Sequence, residues 1–269
     1  MPGTSPGSVG PVAELTGVRV IVTGATSGLG AAMAAALLEA GATVAIAGRP
    51  SPRLADAVTR HTRLGLDAVA LAVAVRDPGS VEAAARRITD DWGGLDLVVN
   101  NAGIGMRSVN PRFLEAPMAF FEVTPEAFAD VIATNLTGYF LVARAFTPAF
   151  VEQGRGRFVN VSMNHETMRR QGFVPYGPSR AGAEALSLIM TEDLRPYGVT
   201  VNIVLPGGAT ATGMIPEDVP DAARRSLLAP EVMGPPLVFL ASDEASGLTG
   251  ERIVATDFDR WLADFRSRR

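Results

Sequence analysis

Apolar residues recur along this chain in two alternating patterns. Short runs rich in Val, Ile, Leu and Ala, at residues 18–22, 43–47, 68–75, 95–99, 157–161, 199–205 and 253–255, read as seven strands. Longer segments between them carry apolar residues at helical spacing. Residues 31–38 form a helix after the first strand, and Ala40-Gly41-Ala42 stops it. Residues 56–63 give a second helix, and a third starts near Gly79-Ser80. The stretch from Pro125 to Glu152 places Phe128, Ile132, Leu136, Phe140, Val142 and Phe146 on one helical stripe, and another helix runs from Gly177 to about Arg195. Strands alternating with helices throughout predict one doubly wound parallel sheet with helices on both faces and right-handed crossovers, with neither a repeat nor a second domain.

Three segments do not follow the alternation. Residues 1–14 are rich in Gly, Pro and Ser with no charged or apolar block, and read as a disordered leader rather than a signal peptide, leaving 15–269 as the domain. Residues 104–124 are irregular and carry Pro111, Pro117, Phe113, Phe120 and Phe121. A connection of that length in a compact domain is commonly functional, and it is expected to form either a substrate wall or an oligomer contact. Residues 214–228, rich in Pro, Asp and Arg, are expected to cover the substrate as a lid.

The first strand breaks into Thr23-Gly24-Ala25-Thr26-Ser27-Gly28-Leu29-Gly30 before the alanine-rich helix begins. A Cβ at such glycines would hold a pyrophosphate away from the backbone. Without it, the N–H groups and positive dipole of the helix start can face that anion. The second strand ends in Gly48-Arg49, and a guanidinium there suits a phosphate group through charge-assisted, often bidentate hydrogen bonds. The fourth strand ends in Asn100-Asn101-Ala102-Gly103, where small residues let the backbone pass close to a ligand. Later come Tyr176-x-x-x-Arg180 and Pro206-Gly207.

These motifs, in this order and from about Leu15 to about Asp257, resemble the short-chain dehydrogenase/reductase family. The resemblance implies a Rossmann-like fold and a nicotinamide cofactor held by Gly24, Thr26, Ser27, Gly28, Leu29, Gly30, Val75, Asn101, Ala102, Gly103, Tyr176, Arg180, Pro206 and Gly207, with Thr210 or Thr212 on the carboxamide. Gly48 stands where the family places the acid that favours NAD(H), so NADP(H) is favoured here. Ala74-Val75 replaces the family's Asp-Val, removing one adenine hydrogen bond. Asp77 either compensates or caps the next helix.

In this family a Tyr protonates the substrate oxygen, a Lys four residues later binds the ribose, and a Ser about thirteen residues earlier holds the substrate. An Asn on the preceding helix holds a relay water. Tyr176 and Asn135 match the Tyr and the Asn. The lysine position is Arg180, which keeps the charge but makes a poor proton relay. The serine position is Met163, whose thioether cannot donate; Asn164 is the preferred substitute, with Ser162 the other. His165, next along, is either a surface residue or a further acid or base.

The leading expectation is an NADP(H)-dependent reductase or dehydrogenase acting on a hydrophobic ketone or alcohol. A non-redox cyclase, isomerase or dehydratase using Tyr176, His165 and Asn164 is the alternative, and a non-catalytic NADP(H)-binding protein a third. By resemblance the chain assembles as a homodimer or homotetramer on its long helices.

Composition narrows the chemistry further. With no cysteine, thiolate catalysis, disulfides and Cys-built metal sites are excluded, and two distant histidines leave no identifiable metal site. A net charge of −4 without a basic block argues against nucleic acid and anionic membrane as partners. With no membrane-length apolar run, a cytoplasmic protein is the default. All 24 basic residues are Arg; a strongly biased genome or an engineered lysine-free chain would each produce that.

Overall fold

Each strand alternates its side chains between two apolar layers, and this fixes the architecture. Val20 and Val22 face one layer while Ile21 faces the other; Leu97 and Val99 oppose Val98, and Val159 and Val161 oppose Phe158, in the same way. Full burial of such side chains stabilises the fold by about 1.5–3 kcal/mol each. The computed structural model describes residues 14–216 and 221–269. The expected leader therefore lies outside the described residues except for Glu14, as does part of the expected lid.

The strands are β1 (Arg19–Thr23), β2 (Thr43–Gly48), β3 (Ala68–Ala72), β4 (Leu97–Asn100), β5 (Gly156–Val161), β6 (Val199–Leu205) and β7 (Arg252–Val254). They form one parallel sheet in the order β3-β2-β1-β4-β5-β6-β7. The helices are α1 (Gly28–Glu39), α2 (Pro52–Thr62), α3 (Pro78–Trp92), α4 (Pro125–Ile132), α5 (Gly138–Gln153), α6 (His165–Met168), α7 (Tyr176–Leu194), α8 (Asp221–Arg225), α9 (Gly234–Ala241) and α10 (Phe258–Ser267). Helices α1, α2, α9 and α10 cover one face of the sheet, and α3, α5 and α7 the other. The strand order reverses between β1 and β4, so a crevice opens at their carboxyl ends, where this fold class binds ligands.

Two departures from the periodicity matter for the site. The expected helix from Pro125 to Glu152 is broken: α4 and α5 are joined by a π-helical turn at Ala133–Thr137, carrying Thr134 and Asn135 into the interior. Such turns insert one residue and re-aim their side chains, often at functional positions. The second helix begins at Pro52 rather than Asp56, because Ser51 and a proline in the first turn already favour a helix start. Among the described residues no helix is long and apolar enough to cross a membrane.

Candidate active site

The glycine loop is held open by its neighbours. Thr23 Oγ1 donates to the Val99 carbonyl (3.1 Å) and accepts from the N–H groups of Asn101 (2.9 Å) and Ala102 (3.1 Å). Asn101 Nδ2 donates back to the carbonyl oxygens of Thr23 (2.8 Å) and Gly24 (3.3 Å), tying β4 to the loop after β1. Gly24 and Gly28 adopt φ of 67° and 55°, which side chains rarely tolerate. A Cβ at Gly30 would lie 2.3 Å from the Gly24 carbonyl oxygen and 2.4 Å from Asn101 Nδ2.

Helix α1 begins just after Ser27, whose side chain does not cap it, and has no acid in its first turn. An uncapped helix start above a glycine cradle has the chemistry of a pyrophosphate site, so the residues present fit a dinucleotide. Thr26 reaches the end of β2, its Cγ2 lying 3.1 Å from the Cβ position of Gly48, and this brings exposed Arg49 to the rim of the cradle. Thr212 closes the other side, 3.3 Å from the Cβ position of Gly28. Thr210 is buried and donates to the Gly208 carbonyl (3.2 Å), so Thr212 is the threonine facing the loop. Val75 packs against Gly138. Asp77 caps α3, its Oδ1 accepting from Gly79 N–H at 2.9 Å.

Asn135 is fully buried. Its Oδ1 accepts from Ile104 N–H (2.9 Å), and its Nδ2 donates to the Ile104 carbonyl (2.9 Å) and to Ser179 Oγ (3.2 Å). The π turn thus clamps the chain leaving β4 against α7. Gly103 must be glycine here: a Cβ would lie 2.6 Å from Arg180 Nη2 and 3.1 Å from Asn135 Oδ1.

Tyr176 opens α7, and Arg180 follows one turn later on the same face. The Arg180 guanidinium carbon lies 5.3 Å from the Tyr176 ring centroid and 5.4 Å from that of Tyr139. Nη1 donates to Tyr139 Oη (2.6 Å) and to the Val161 carbonyl (3.0 Å). Burial works against the Arg180 charge, but the phenol oxygens of Tyr139 and Tyr176 outweigh it and push the guanidinium above its ordinary value, so it stays cationic at every working pH. Burial likewise pushes the Tyr139 phenol up, and Arg180 offsets this only in part.

The residues around the absent serine sit differently from the sequence expectation. Met163 packs with Tyr176 against Met106, Phe113 and Phe173, with Val109 and Leu114 beside them. The segment 104–124 thereby walls the space before Tyr176, while Phe120 and Phe121 stay exposed.

None of the expected substitutes faces this space with a donor. Ser162, just past the end of β5, donates to Glu184 Oε1 on α7 at 2.6 Å, which commits its hydroxyl there. Asn164 donates its Nδ2 to the Gly207 carbonyl at 2.9 Å, fixing the loop after β6. His165 lies half-exposed with Nε2 3.0 Å from Glu184 Oε2. Arg252 completes that cluster, its Nε donating to Glu184 (3.0 and 3.2 Å) and its Nη2 to the Met163 carbonyl (2.8 Å). Pro206 and Gly207 end β6 beside Thr256, whose N–H donates to the Pro206 carbonyl at 3.3 Å.

Sequence reasoning missed Tyr139, Glu184 and Arg252. Tyr139 lies within an apolar helical stripe, and Glu184 and Arg252 belong to no motif.

Fold and site together define an oxidoreductase of the Rossmann type, with a tyrosine and a cation on one helix face beside a dinucleotide cradle. The chain belongs to the short-chain dehydrogenase family, whose sequence profile, described as short chain dehydrogenase, matches residues 18–222. It is 33% identical over 249 residues to the 3-oxoacyl-(acyl-carrier-protein) reductase FabG of Vibrio cholerae, covering 89% of this chain and 96% of that one. It is 32% identical over 246 residues to the acetoacetyl-CoA reductase of Rhizobium meliloti, covering 87% and 95%. Among solved structures, a putative short-chain alcohol dehydrogenase from Sinorhizobium meliloti superposes with a TM-score of 0.80 at 30% identity, covering 93% of this chain and 99% of that one. A gluconate 5-dehydrogenase from Burkholderia cenocepacia, in complex with NADP and tartrate, gives 0.80 at 25% identity, covering 92% and 97%.

Proposed function

We propose that this enzyme is an NADP(H)-dependent reductase of hydrophobic ketones, running in reverse as an alcohol dehydrogenase. The observation that carries the reading is the buried Arg180 cation held between the Tyr176 ring and the Gly103 turn. When bound, a nicotinamide would supply the hydride for ketone reduction, or take one from the alcohol carbon in the reverse direction. Tyr176 donates a proton to the carbonyl oxygen as charge develops there, and Arg180 stabilises the phenolate left behind. Asn135 fixes the backbone at Ile104, and so the spacing between α7 and the end of β4.

NADP(H) is supported over NAD(H) by exposed Arg49 at the rim of the cradle. A hydrophobic substrate is supported by the Met106, Phe113, Met163 and Phe173 wall, and a carbonyl group by relatives named as 3-oxoacyl and acetoacetyl thioester reductases. Apolar residues left exposed on α4, α5 and α7 (Phe128, Phe140, Leu188 and Ile189) support a homodimer or homotetramer, which light scattering would read. The partners in this reading are the small-molecule substrate and copies of the chain, with no role for nucleic acid or membrane, and the expected location is the cytoplasm.

The test is NADPH oxidation against a panel of hydrophobic ketones and acetoacetyl thioesters. Turnover that disappears in Tyr176→Phe supports the reading. A folded, NADPH-binding protein that turns over no ketone rejects it.

A further inference from the structure

Arginine in place of a ribose-binding lysine poses a geometric problem. An ammonium is a point charge with three rotatable donors, whereas a guanidinium is a planar fork whose donors all turn together. Its plane must be set by something other than the ligand if one edge is to face the cleft in the free enzyme.

Tyr139 supplies that constraint. It is 2% exposed, in the first turn of α5 directly after the π turn. Its hydroxyl accepts from Arg180 Nη1 at 2.6 Å and donates to the Val161 carbonyl at 3.2 Å. Val161 also accepts from the same Nη1 at 3.0 Å. Nη1 is therefore fixed by two acceptors that are themselves hydrogen-bonded. The guanidinium is also flanked by two phenol rings, at 5.4 Å and 5.3 Å. With Nη1 committed, Nη2 turns to the Asn-Ala-Gly turn, where only the absence of a Cβ at Gly103 leaves it room. Nε is buried without a hydrogen-bond partner, so the side chain is held by its tip and not along its length.

We infer that Tyr139 is the positioning residue of the site: it takes one edge of the Arg180 guanidinium so that the other faces the nucleotide cleft beneath Tyr176. The inference rests on the reading that Arg180 serves the bound nucleotide. Tyr139 itself touches neither substrate nor nucleotide in this scheme. Its hydroxyl matters because residue 180 is arginine, and it should cease to matter when residue 180 is lysine.

The experiment is a double-mutant cycle with Tyr139→Phe and Arg180→Lys, read by the dissociation constant for NADPH from calorimetry and by thermal unfolding of each variant. Tyr139→Phe in the parent should weaken NADPH binding about tenfold, the lower end of what losing a hydrogen bond to a charged group brings. In the Arg180→Lys background the same change should alter NADPH affinity by no more than about twofold, although the unfolding temperature falls equally in both. An equal loss of affinity in both backgrounds, or none in the parent, overturns the inference while leaving the function reading intact. A parent protein that binds no NADPH removes both.

Discussion

Ser162 Oγ donates to the Glu184 carboxylate at 2.6 Å, about two turns along α7 from Tyr176. The hydroxyl beside Met163 is thus committed to Glu184, and Met163, which has no donor, packs beside Tyr176. Restoring a donor at the position that faces the reaction should raise the rate. Removal of one such donor slows oxyanion-forming enzymes by about 100- to 1000-fold. Met163→Ser is expected to increase kcat for ketone reduction by about tenfold or more. It also empties part of the Met106–Phe113–Phe173 cluster, which should lower stability by about 1–3 kcal/mol. Ser162→Ala should leave kcat within about twofold. Steady-state kinetics with urea unfolding on the same samples reads both effects, and a rate loss in Ser162→Ala would contradict the assignment.

Gly30 packs against the Gly24 carbonyl and the Asn101 amide with no room for a methyl group. Gly30→Ala must push the loop off β4 or α1 off the sheet, at a cost of about 1–3 kcal/mol. The same movement disorders the cradle. We expect a lower unfolding temperature together with loss of the stabilisation that added NADPH gives the parent, both visible in one thermal-shift series.

Arg49 sits at the cradle's rim, where its charge would pair with a 2′-phosphate and not with bare ribose hydroxyls. Arg49→Ala should therefore weaken NADPH binding by about 10- to 100-fold, the range for a charged hydrogen bond, and leave NADH binding within about twofold. Titrating both nucleotides into both proteins decides it. A parallel loss for the two would place Arg49 outside the phosphate site.

The sequence made the sheet and the cradle legible because both rest on local signals. Apolar runs mark buried strands, and a glycine cluster between strand and helix marks a turn that a side chain would block. What it hid were meetings between polar tips distant in the chain. The stripe Phe128–Ile132–Leu136–Phe140 continues through Ala133–Thr137 as if the helix were regular, because a π turn adds only one residue and leaves the stripe apolar. Tyr139 reads as one more apolar helix residue until the Arg180 guanidinium lies against it. Glu184 gathers Ser162, His165 and Arg252 from β5, α6 and β7, a convergence made by sheet order and absent from any local spacing. Periodicity reports which face of an element is buried. It is silent on where the end of a long polar side chain will land.

Asp96, just before β4, ties three neighbouring strands at their amino ends and gives the fold an acid limit. Its carboxylate accepts from the Arg19 backbone N–H (2.9 Å) and from Arg19 Nε (3.3 Å), and it pairs with Arg155 beside β5. Burial alone would raise its pKa, but the Arg19 N–H, the Arg155 hydrogen bond and the two guanidinium charges together outweigh that and hold it below the usual carboxylate range. A group whose folded pKa lies below its unfolded value stabilises the fold fully above the unfolded value of about 3.9, and that contribution fades as pH falls through the folded value. Asp96→Asn removes the linkage while keeping the shape. Urea unfolding of parent and variant at pH ~7 and at pH ~3 should show the parent ahead at the higher pH and the gap narrowing at the lower. A gap of constant size at both would mean that Asp96 contributes through its hydrogen bonds alone, and that its charge is not what sets the acid limit.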